Sequence, residues 1–243
     1  MESLLRGWFH PLHERDPPIS TYDDLSSVYE QLTPEGLRTP EGNVAAFAAF
    51  IDPLPEGARV LDAACGIGLL ATGLALRGLR TEATDASPGM VARTRATAAR
   101  HGAEVRAGVC AWEELPPGPR FDAVFCVGNS IGHARERRRA IVALASTLKP
   151  GGVLVLTTRN WERVRALGSH TDGTHTWEVP EAWDAPHHVT VTVGDVCERL
   201  TYWPFTHQQL GEDLAAAGLA VREDTYTAEQ DRYLVAGTGY PRD

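Results

Sequence analysis

The 243-residue sequence lacks an excess of positive charge, a paired-cysteine motif and a long apolar run. Its 23 basic and 32 acidic residues give a net charge of −9, which repels phosphate backbones and anionic lipid, so neither nucleic acid nor a membrane is an expected partner. The four cysteines form no CxxC pair, which predicts reduced thiols in a cytoplasmic protein. No run reaches the roughly 20 apolar residues of a membrane span, and residues 1–18 lack the apolar core of a signal peptide.

Short strand-like runs alternate with helical runs from Arg59 onward. The strand-like runs cover residues 59–63, 80–84, 103–107, 121–127 and 152–158, and the helical runs cover 69–77, 87–100 and 135–148. Such alternation predicts an α/β fold with a doubly wound, mostly parallel, Rossmann-like sheet and helices on both faces. A further helix is predicted over residues 39–51, with Thr39 as its cap and Pro40 in its first turn.

The pattern changes after residue 158. Residues 174–203 are rich in β-branched and aromatic residues around a Gly-Asp turn, which predicts a β-rich antiparallel lid insertion. A capping box at residues 206–209 predicts a helix, and two strands after it give the sheet an antiparallel C-terminal end. We therefore expect a single domain with four parts, namely an N-terminal lid segment (1–38), a cofactor-binding core (39–162), the insertion (163–205) and a C-terminal helix with strands (206–243).

Residues 60–68 (VLDAACGIG) join a buried strand to a helix through a turn with two glycines. Glycine lets the backbone approach a ligand, and in an open α/β sheet this turn faces the ligand crevice. The turn alone also fits the looser GxGxxA dinucleotide pattern, and Asp85 suits the ribose of either ligand class. Asp62 would oppose a pyrophosphate but suits the ammonium end of a methionine moiety, while Met90 offers an apolar contact near an adenine. These two residues favour S-adenosylmethionine over a nicotinamide cofactor.

Residues 39–158 resemble the class I S-adenosylmethionine-dependent methyltransferases. Asp62, Gly66 and Gly68 match the D-x-x-x-G-x-G loop of that family, and Asp85 matches the acid that ends its second strand. Ala111 stands where the family usually places Asp or Asn. The resemblance implies S-adenosyl-L-methionine as the cofactor. The cofactor-binding residues expected on this basis are Tyr22, Arg38, Asp62, Ala64, Gly66, Gly68, Asp85, Ala86, Met90, Ala111, Trp112 and Cys126.

A closer resemblance concerns the substrate side. Residues 126–133 (CVGNSIGH) are similar to the C-L-G-N-S-x-x-H segment of glycine and glycine/sarcosine N-methyltransferases, and the segments at 38–39 (RT) and 159–161 (RNW) match two further family motifs in the same order. The resemblance implies that Arg38 binds the donor carboxylate and that the acceptor side is lined by Asn129, Tyr29, His133 and Arg159, with Arg159 on a substrate carboxylate.

Each of these four acceptor-side residues has a structural alternative. Arg159 could be a surface arginine, Asn129 could support its loop, Tyr29 could pack under the N-terminal segment, and His133 could cap a helix instead of acting in catalysis.

The predicted function is transfer of a methyl group to the nitrogen of a small amine or amino acid. Positioning and desolvation carry most of such a reaction, so a strong base is not required. Alternatives are an oxygen or carbon acceptor with His133 as base, a nicotinamide oxidoreductase, and a non-catalytic donor-binding domain. The insertion does not resemble the glycine enzymes, so glycine itself is not predicted.

No metal site is expected. His187 and His188 lie near Asp184 but lack a spaced third ligand, which predicts a solvated loop. The tryptophans of the insertion fit either an aromatic pocket or the packing of the insertion itself.

Overall fold

The computed structural model describes residues 22–239, so the first 21 residues of the predicted N-terminal lid segment and residues 240–243 lie outside the described part of the chain. In chain order its helices are α1 (Tyr22–Leu25), α2 (Tyr29–Leu32), α3 (Pro40–Ala46), α4 (Ala48–Ile51), α5 (Leu69–Leu76), α6 (Pro88–Arg100), α7 (Arg137–Ser146), α8 (Trp161–Leu167) and α9 (His207–Ala216). Its strands are β1 (Arg59–Ala63), β2 (Arg80–Asp85), β3 (Val105–Val109), β4 (Phe121–Cys126), β5 (Leu148–Arg159), β6 (His170–Asp172), β7 (His175–Glu178), β8 (His187–Val193), β9 (Val196–Tyr202), β10 (Leu219–Asp224) and β11 (Arg232–Gly239).

A seven-stranded sheet with the strand order β10-β11-β5-β4-β1-β2-β3 forms the centre of the molecule. The five strands β1 to β5 run parallel, while β11 pairs antiparallel with β5 and with β10. The predicted α/β fold, with its mostly parallel sheet and antiparallel C-terminal end, is confirmed.

Both faces of this sheet are covered, which explains the continuous apolar runs of its strands. Val60 and Phe125 pack with helices α3 and α5 on one face, whereas Leu61 and Val124 belong to the cluster on the other. Adjacent residues of a strand point to opposite faces, so each of these strands contributes to two cores.

Two helix caps expected from the sequence are present in the structure. The Thr39 side chain accepts a hydrogen bond from the Gly42 backbone, and Thr206 and Gln209 form the expected capping box. The predicted helix over residues 39–51 is instead two helices, because Phe47 leaves the helical conformation (φ −116°, ψ 19°). The predicted helix that begins at residue 135 begins two residues later, at Arg137.

A second, four-stranded antiparallel sheet with the order β6-β7-β8-β9 forms the insertion. Its covered face carries Trp177, Val189 and Leu200, which join the main core. The prediction of a solvated loop at His187 and His188 was wrong, because both residues lie in β8. His187 is fully buried and stacks on Trp161, since alternate residues of this strand face the core.

The longest helix among residues 22–239 is α6, with 13 residues. No helix in this part of the chain is long and apolar enough to cross a membrane. Within the same residues no three His, Cys, Asp or Glu side chains come together to hold a metal ion.

Candidate active site

Two cavities lie side by side at the carboxyl ends of strands β1, β2, β4 and β5. We call the one of about 520 Å³ beside Asp85 and Met90 the donor cavity, and the one of about 450 Å³ beside Arg159 the acceptor cavity. Both are lined by Tyr22 and Tyr29. They also share residues of two strand-end loops, namely Ala64, Gly66, Gly128 and Ser130. The carboxyl edge of a parallel sheet is where open α/β folds bind ligands.

The loop after β1 has an unusual backbone. Ala64, Gly66 and Gly68 all have positive φ, at 76°, 55° and 80°. For alanine this conformation is strained, and such strain concentrates at functional sites. Ala64 and Gly66 face the cavities, whereas Gly68 does not: a Cβ on Gly68 would lie 2.7 Å from the Cα of Thr94 in α6. Glycine at 68 therefore serves the packing of α5 against α6.

Asp62 is a buried carboxyl at the point where β1 enters this loop. Its Oδ2 accepts a hydrogen bond from the backbone N–H of Ala71 at 3.1 Å, while its Oδ1 has no hydrogen-bond partner among the described residues. Burial raises the pKa of Asp62 to about 7, and the charge of Asp85 adds to this effect. An unpaired buried carboxylate oxygen that borders a cavity is suited to bind a cation such as an ammonium group.

Asp85 ends β2 and lines the donor cavity. Its Oδ2 accepts from the N–H of Gly66 at 2.9 Å and its Oδ1 from the N–H of Ser87 at 3.0 Å. Burial raises its pKa, although these backbone hydrogen bonds oppose the effect. Each carboxylate oxygen has a further acceptor site, so Asp85 can still bind two ligand hydroxyls.

The donor cavity has an apolar portion, and the charged residues Glu113, Arg135 and Glu136 line it elsewhere together with His133. Ala86, buried Met90, Ala111 and Trp112 line the apolar portion, as the sequence predicts for a site that holds an adenine. Cys110, which belongs to none of the sequence motifs, lines it as well.

Two predicted cofactor-binding residues besides Gly68 line neither cavity. Cys126 is fully buried in β4, where its side chain belongs to the sheet core. Arg38 is exposed, and its Nε donates to the backbone oxygen of Thr33 at 2.9 Å.

The protonation of His133 is set by its two neighbours. Its Nδ1 lies 2.8 Å from the backbone oxygen of Thr201, and its Nε2 lies 2.8 Å from the hydroxyl of Tyr22. A carbonyl oxygen only accepts, so Nδ1 carries the proton and Nε2 accepts from Tyr22. Burial lowers the pKa of His133 to about 4. The imidazole is therefore neutral at pH 7, and it lies in a short 3₁₀ turn instead of capping α7.

Asn129 has a left-handed backbone, with φ at 73°, between β4 and this turn. Its Oδ1 accepts from the N–H of Arg159 at 2.9 Å and from the hydroxyl of Thr158 at 3.2 Å. These contacts fix the end of β5, so Asn129 supports its loop and also lines the acceptor cavity.

The far end of the acceptor cavity is basic and aromatic. The Arg159 guanidinium stacks over the Trp177 ring at 4.4 Å, and Arg232 and His175 line the cavity beside them. Burial, together with the charge of Arg232, lowers the pKa of Arg159 to about 10, which leaves it a cation at pH 7. Tyr29 packs over the glycine loop, and burial raises its pKa to about 12.

Arg232, Tyr202 and the valine, leucine and histidine residues that the insertion contributes to the cavity were not predicted from the sequence, whereas Trp177 is one of the insertion tryptophans expected to fit either a pocket or internal packing. The alternation of Val189, Val191 and Val193 in β8 predicts one covered face, but it does not reveal what that face covers.

The fold, the two acids and the donor cavity define the Rossmann-like ligand site of a methyltransferase. Residues 60–152 match the family described as "Methyltransferase domain". This match and the fold support a class I S-adenosylmethionine-dependent methyltransferase domain over this part of the chain, with S-adenosyl-L-methionine as its cofactor. The described residues fit that cofactor, because Asp62 Oδ1 is unpartnered, Asp85 keeps free acceptor sites and Met90 closes the apolar end.

Relatives with curated names fall into two groups. A glycine/sarcosine N-methyltransferase of Parasynechococcus marenigrum (strain WH8102) is 38% identical over 127 residues, which cover 49% of this chain and 45% of the relative. A ubiquinone biosynthesis O-methyltransferase of Xanthomonas axonopodis pv. citri (strain 306) is 40% identical over 108 residues, which cover 44% and 45%. The chain thus spans less than half the length of the curated relatives it matches.

Solved structures agree on the fold. The CcbJ methyltransferase from Streptomyces caelestis superimposes with a TM-score of 0.73 at 21% identity, over 91% of this chain and 98% of that one.

Proposed function

We propose that the protein transfers a methyl group from S-adenosylmethionine to the nitrogen of a small amine or amino acid that carries a carboxylate. The observation that carries this proposal is Arg159, a half-buried guanidinium in the acceptor cavity. Within residues 22–239 it pairs with no carboxylate, and its only recorded side-chain contact is with the Trp177 ring. The glycine/sarcosine relative supports a nitrogen acceptor.

The chemistry of the site suits an amine. When bound, the cofactor supplies an electrophilic methyl group on a sulfonium. The residues at the junction of the two cavities supply position and a water-poor environment, which can contribute about 7–11 kcal/mol to a transfer of this kind. An amine has to be neutral to attack, and transfer out of water lowers its pKa, so no strong base is needed.

The first test is calorimetric titration with S-adenosylhomocysteine, followed by mass-spectrometric detection of methylated products from a panel of amines and amino acids. Arg159→Gln is expected to raise the acceptor KM at least tenfold while leaving S-adenosylhomocysteine affinity within twofold, because the guanidinium lies at the acceptor end. An unchanged KM would remove Arg159 from the acceptor site, and absence of any methylated amine would contradict the proposal.

A second candidate function is methylation of a hydroxyl group. It is favoured by the lone pair of His133 Nε2, which faces Tyr22 at the junction of the cavities, and by the O-methyltransferase relative. An acceptor hydroxyl in the place of the Tyr22 hydroxyl would pass its proton to Nε2. The pH dependence of kcat at saturating donor and the variant His133→Ala separate the two candidates. Transfer to nitrogen predicts that kcat shows no change between pH 6 and 8 that depends on His133. Transfer to oxygen would be favoured if His133→Ala lost all turnover and phenols were the substrates that the protein methylates.

A further inference from the structure

Two arginines face each other at the end of the acceptor cavity. Strands β5 and β11 are antiparallel, and their register sets Arg159 directly opposite Arg232. Side chains of directly opposed residues leave an antiparallel pair on the same face, with Cβ atoms about 5 Å apart. Both side chains accordingly line the same cavity.

Among the described residues no carboxylate forms an ion pair with either arginine, although the charges of Asp231 and Asp172 act on Arg159 from a greater distance. Across the described chain neither guanidinium donates a recorded hydrogen bond or pairs with a carboxylate within 4.0 Å. Asp231, the chain neighbour of Arg232, is paired with Arg163 at 2.6 Å instead. Like charges opposite each other destabilise a sheet, and burial of Arg159 adds a desolvation cost. In a protein with a net charge of −9, an unpaired pair of arginines at a cavity indicates that an anionic ligand supplies the counter-charge.

The wall that the small four-stranded sheet contributes to the acceptor cavity is mainly apolar. Trp177, Val191 and Leu200 project from the covered face of the small sheet and line the cavity, with Tyr202 next to them. The cavity measures about 450 Å³. An acceptor as small as glycine would leave this apolar wall without a partner, whereas an apolar side chain would bury it.

We propose that Arg232 is a specificity-determining residue that, together with Arg159, binds the carboxylate of the acceptor, and that the acceptor carries an apolar body which packs on the wall formed by β7, β8 and β9. The identification of the cavity as an acceptor site rests on the proposed function. The ligand chemistry of the cavity can be tested without turnover.

The binding test uses 4-methylpentanoate and its neutral amide, 4-methylpentanamide, titrated calorimetrically into the protein saturated with S-adenosylhomocysteine. The carboxylate is expected to bind at least tenfold more tightly than the amide. Arg232→Gln is expected to weaken the carboxylate about fivefold and to leave the amide unchanged. Arg222→Gln is the matched control, because Arg222 is an exposed arginine of β10 that bonds only to Thr238, and its removal changes the net charge equally. Equal affinity for acid and amide, or an equal effect of the two substitutions, would overturn the proposal.

The turnover test compares α-amino acids with apolar side chains, their amides and glycine. Apolar amino acids are expected to have the highest kcat/KM, and Arg232→Gln is expected to raise their KM while kcat changes less than twofold. Methylation of amines with no preference for the carboxylate would refute this inference and leave the proposed function standing. Absence of any amine methylation would refute the proposed function, and the binding test would still decide whether the arginine pair selects carboxylates.

Discussion

Replacing Asp62 with asparagine tests the buried charge, at the loop after β1, that is expected to bind the ammonium group of the donor. The buried carboxyl has a pKa of about 7 instead of an ordinary value near 3.8, and its Oδ1 lacks a partner in the described chain. Asparagine has the same shape, keeps an oxygen for the Ala71 N–H and never ionises. The substitution should therefore stabilise the ligand-free protein at neutral pH while it weakens donor binding.

The sign and size of the effect follow from linkage. Below about pH 4 the carboxyl is protonated in both the folded and the unfolded chain, so it costs nothing. Between pH 4 and 7 the unfolded chain has released this proton and the folded chain retains it, so stability falls as the pH rises. The full cost above pH 7 is about 4 kcal/mol, at about 1.4 kcal/mol per pKa unit. About 2.5 kcal/mol of it develops between pH 5 and 8.

Urea unfolding of the parent and of Asp62→Asn at pH 5 and 8 measures this difference. The variant should gain about 2.5 kcal/mol relative to the parent over that interval. In the parent, S-adenosylhomocysteine affinity should rise about tenfold from pH 6 to 8 as Asp62 ionises, whereas the variant should bind weakly at both pH values. Asp52→Asn removes an exposed carboxyl and serves as the control. A pH-independent stability difference, or parental donor affinity in the variant, would refute the reasoning.

Two further predictions concern packing. Gly68→Ala should lower the free energy of unfolding by about 3 kcal/mol, because a Cβ at 68 meets the α6 backbone. The control Gly78→Ala, at a position with nearly the same φ and open space around it, should lower it by about 1–2 kcal/mol. Equal losses in urea unfolding would contradict the importance of the contact between residue 68 and α6. His187→Phe should stabilise the protein by about 1–2 kcal/mol at pH 5 and by less at pH 8, because burial lowers the pKa of this imidazole to about 4, its ring nitrogens have no hydrogen-bond partner in the described chain, and the unfolded chain gains a proton below about pH 6.5. An unchanged acid unfolding midpoint would contradict this prediction.

The sequence predicted the central sheet because each of its elements carries a local signal. Apolar runs, caps such as Thr39 and the glycine turn need no information from distant parts of the chain. Asp62 and Asp85 could be singled out for the same reason, since both follow from their position at strand ends. The division of the predicted helix at Phe47 could not be foreseen, because tertiary packing overrides helical spacing there.

The acceptor side depended on long-range pairing and was harder to predict. His187 has a local pattern that suits a loop, and only the register of β8 against β7 and β9 shows which way it points. Arg232 becomes a cavity residue only because β11 pairs antiparallel with β5, which sets it opposite Arg159. Arg38 shows the reverse case: its motif is local, yet the structure directs its side chain to Thr33 and away from both cavities.

The two cavities carry opposite charge at their far ends, and this polarity bears on how a methyl group could be directed. Asp85 makes the donor cavity acidic, whereas Arg159 and Arg232 make the far end of the acceptor cavity basic. Asp62 lies in the acceptor cavity, at the loop after β1 that both cavities share. An amino acid bound with its carboxylate on the arginines extends toward the junction that Tyr22 lines. None of the described residues that both cavities share is a carboxylate. In the proposed reaction the ammonium group of the cofactor engages Asp62, so the desolvated amine is favoured in its neutral, nucleophilic form. In the proposed reaction the charges at the two ends would therefore orient both ligands, and the region between them would favour a neutral nitrogen.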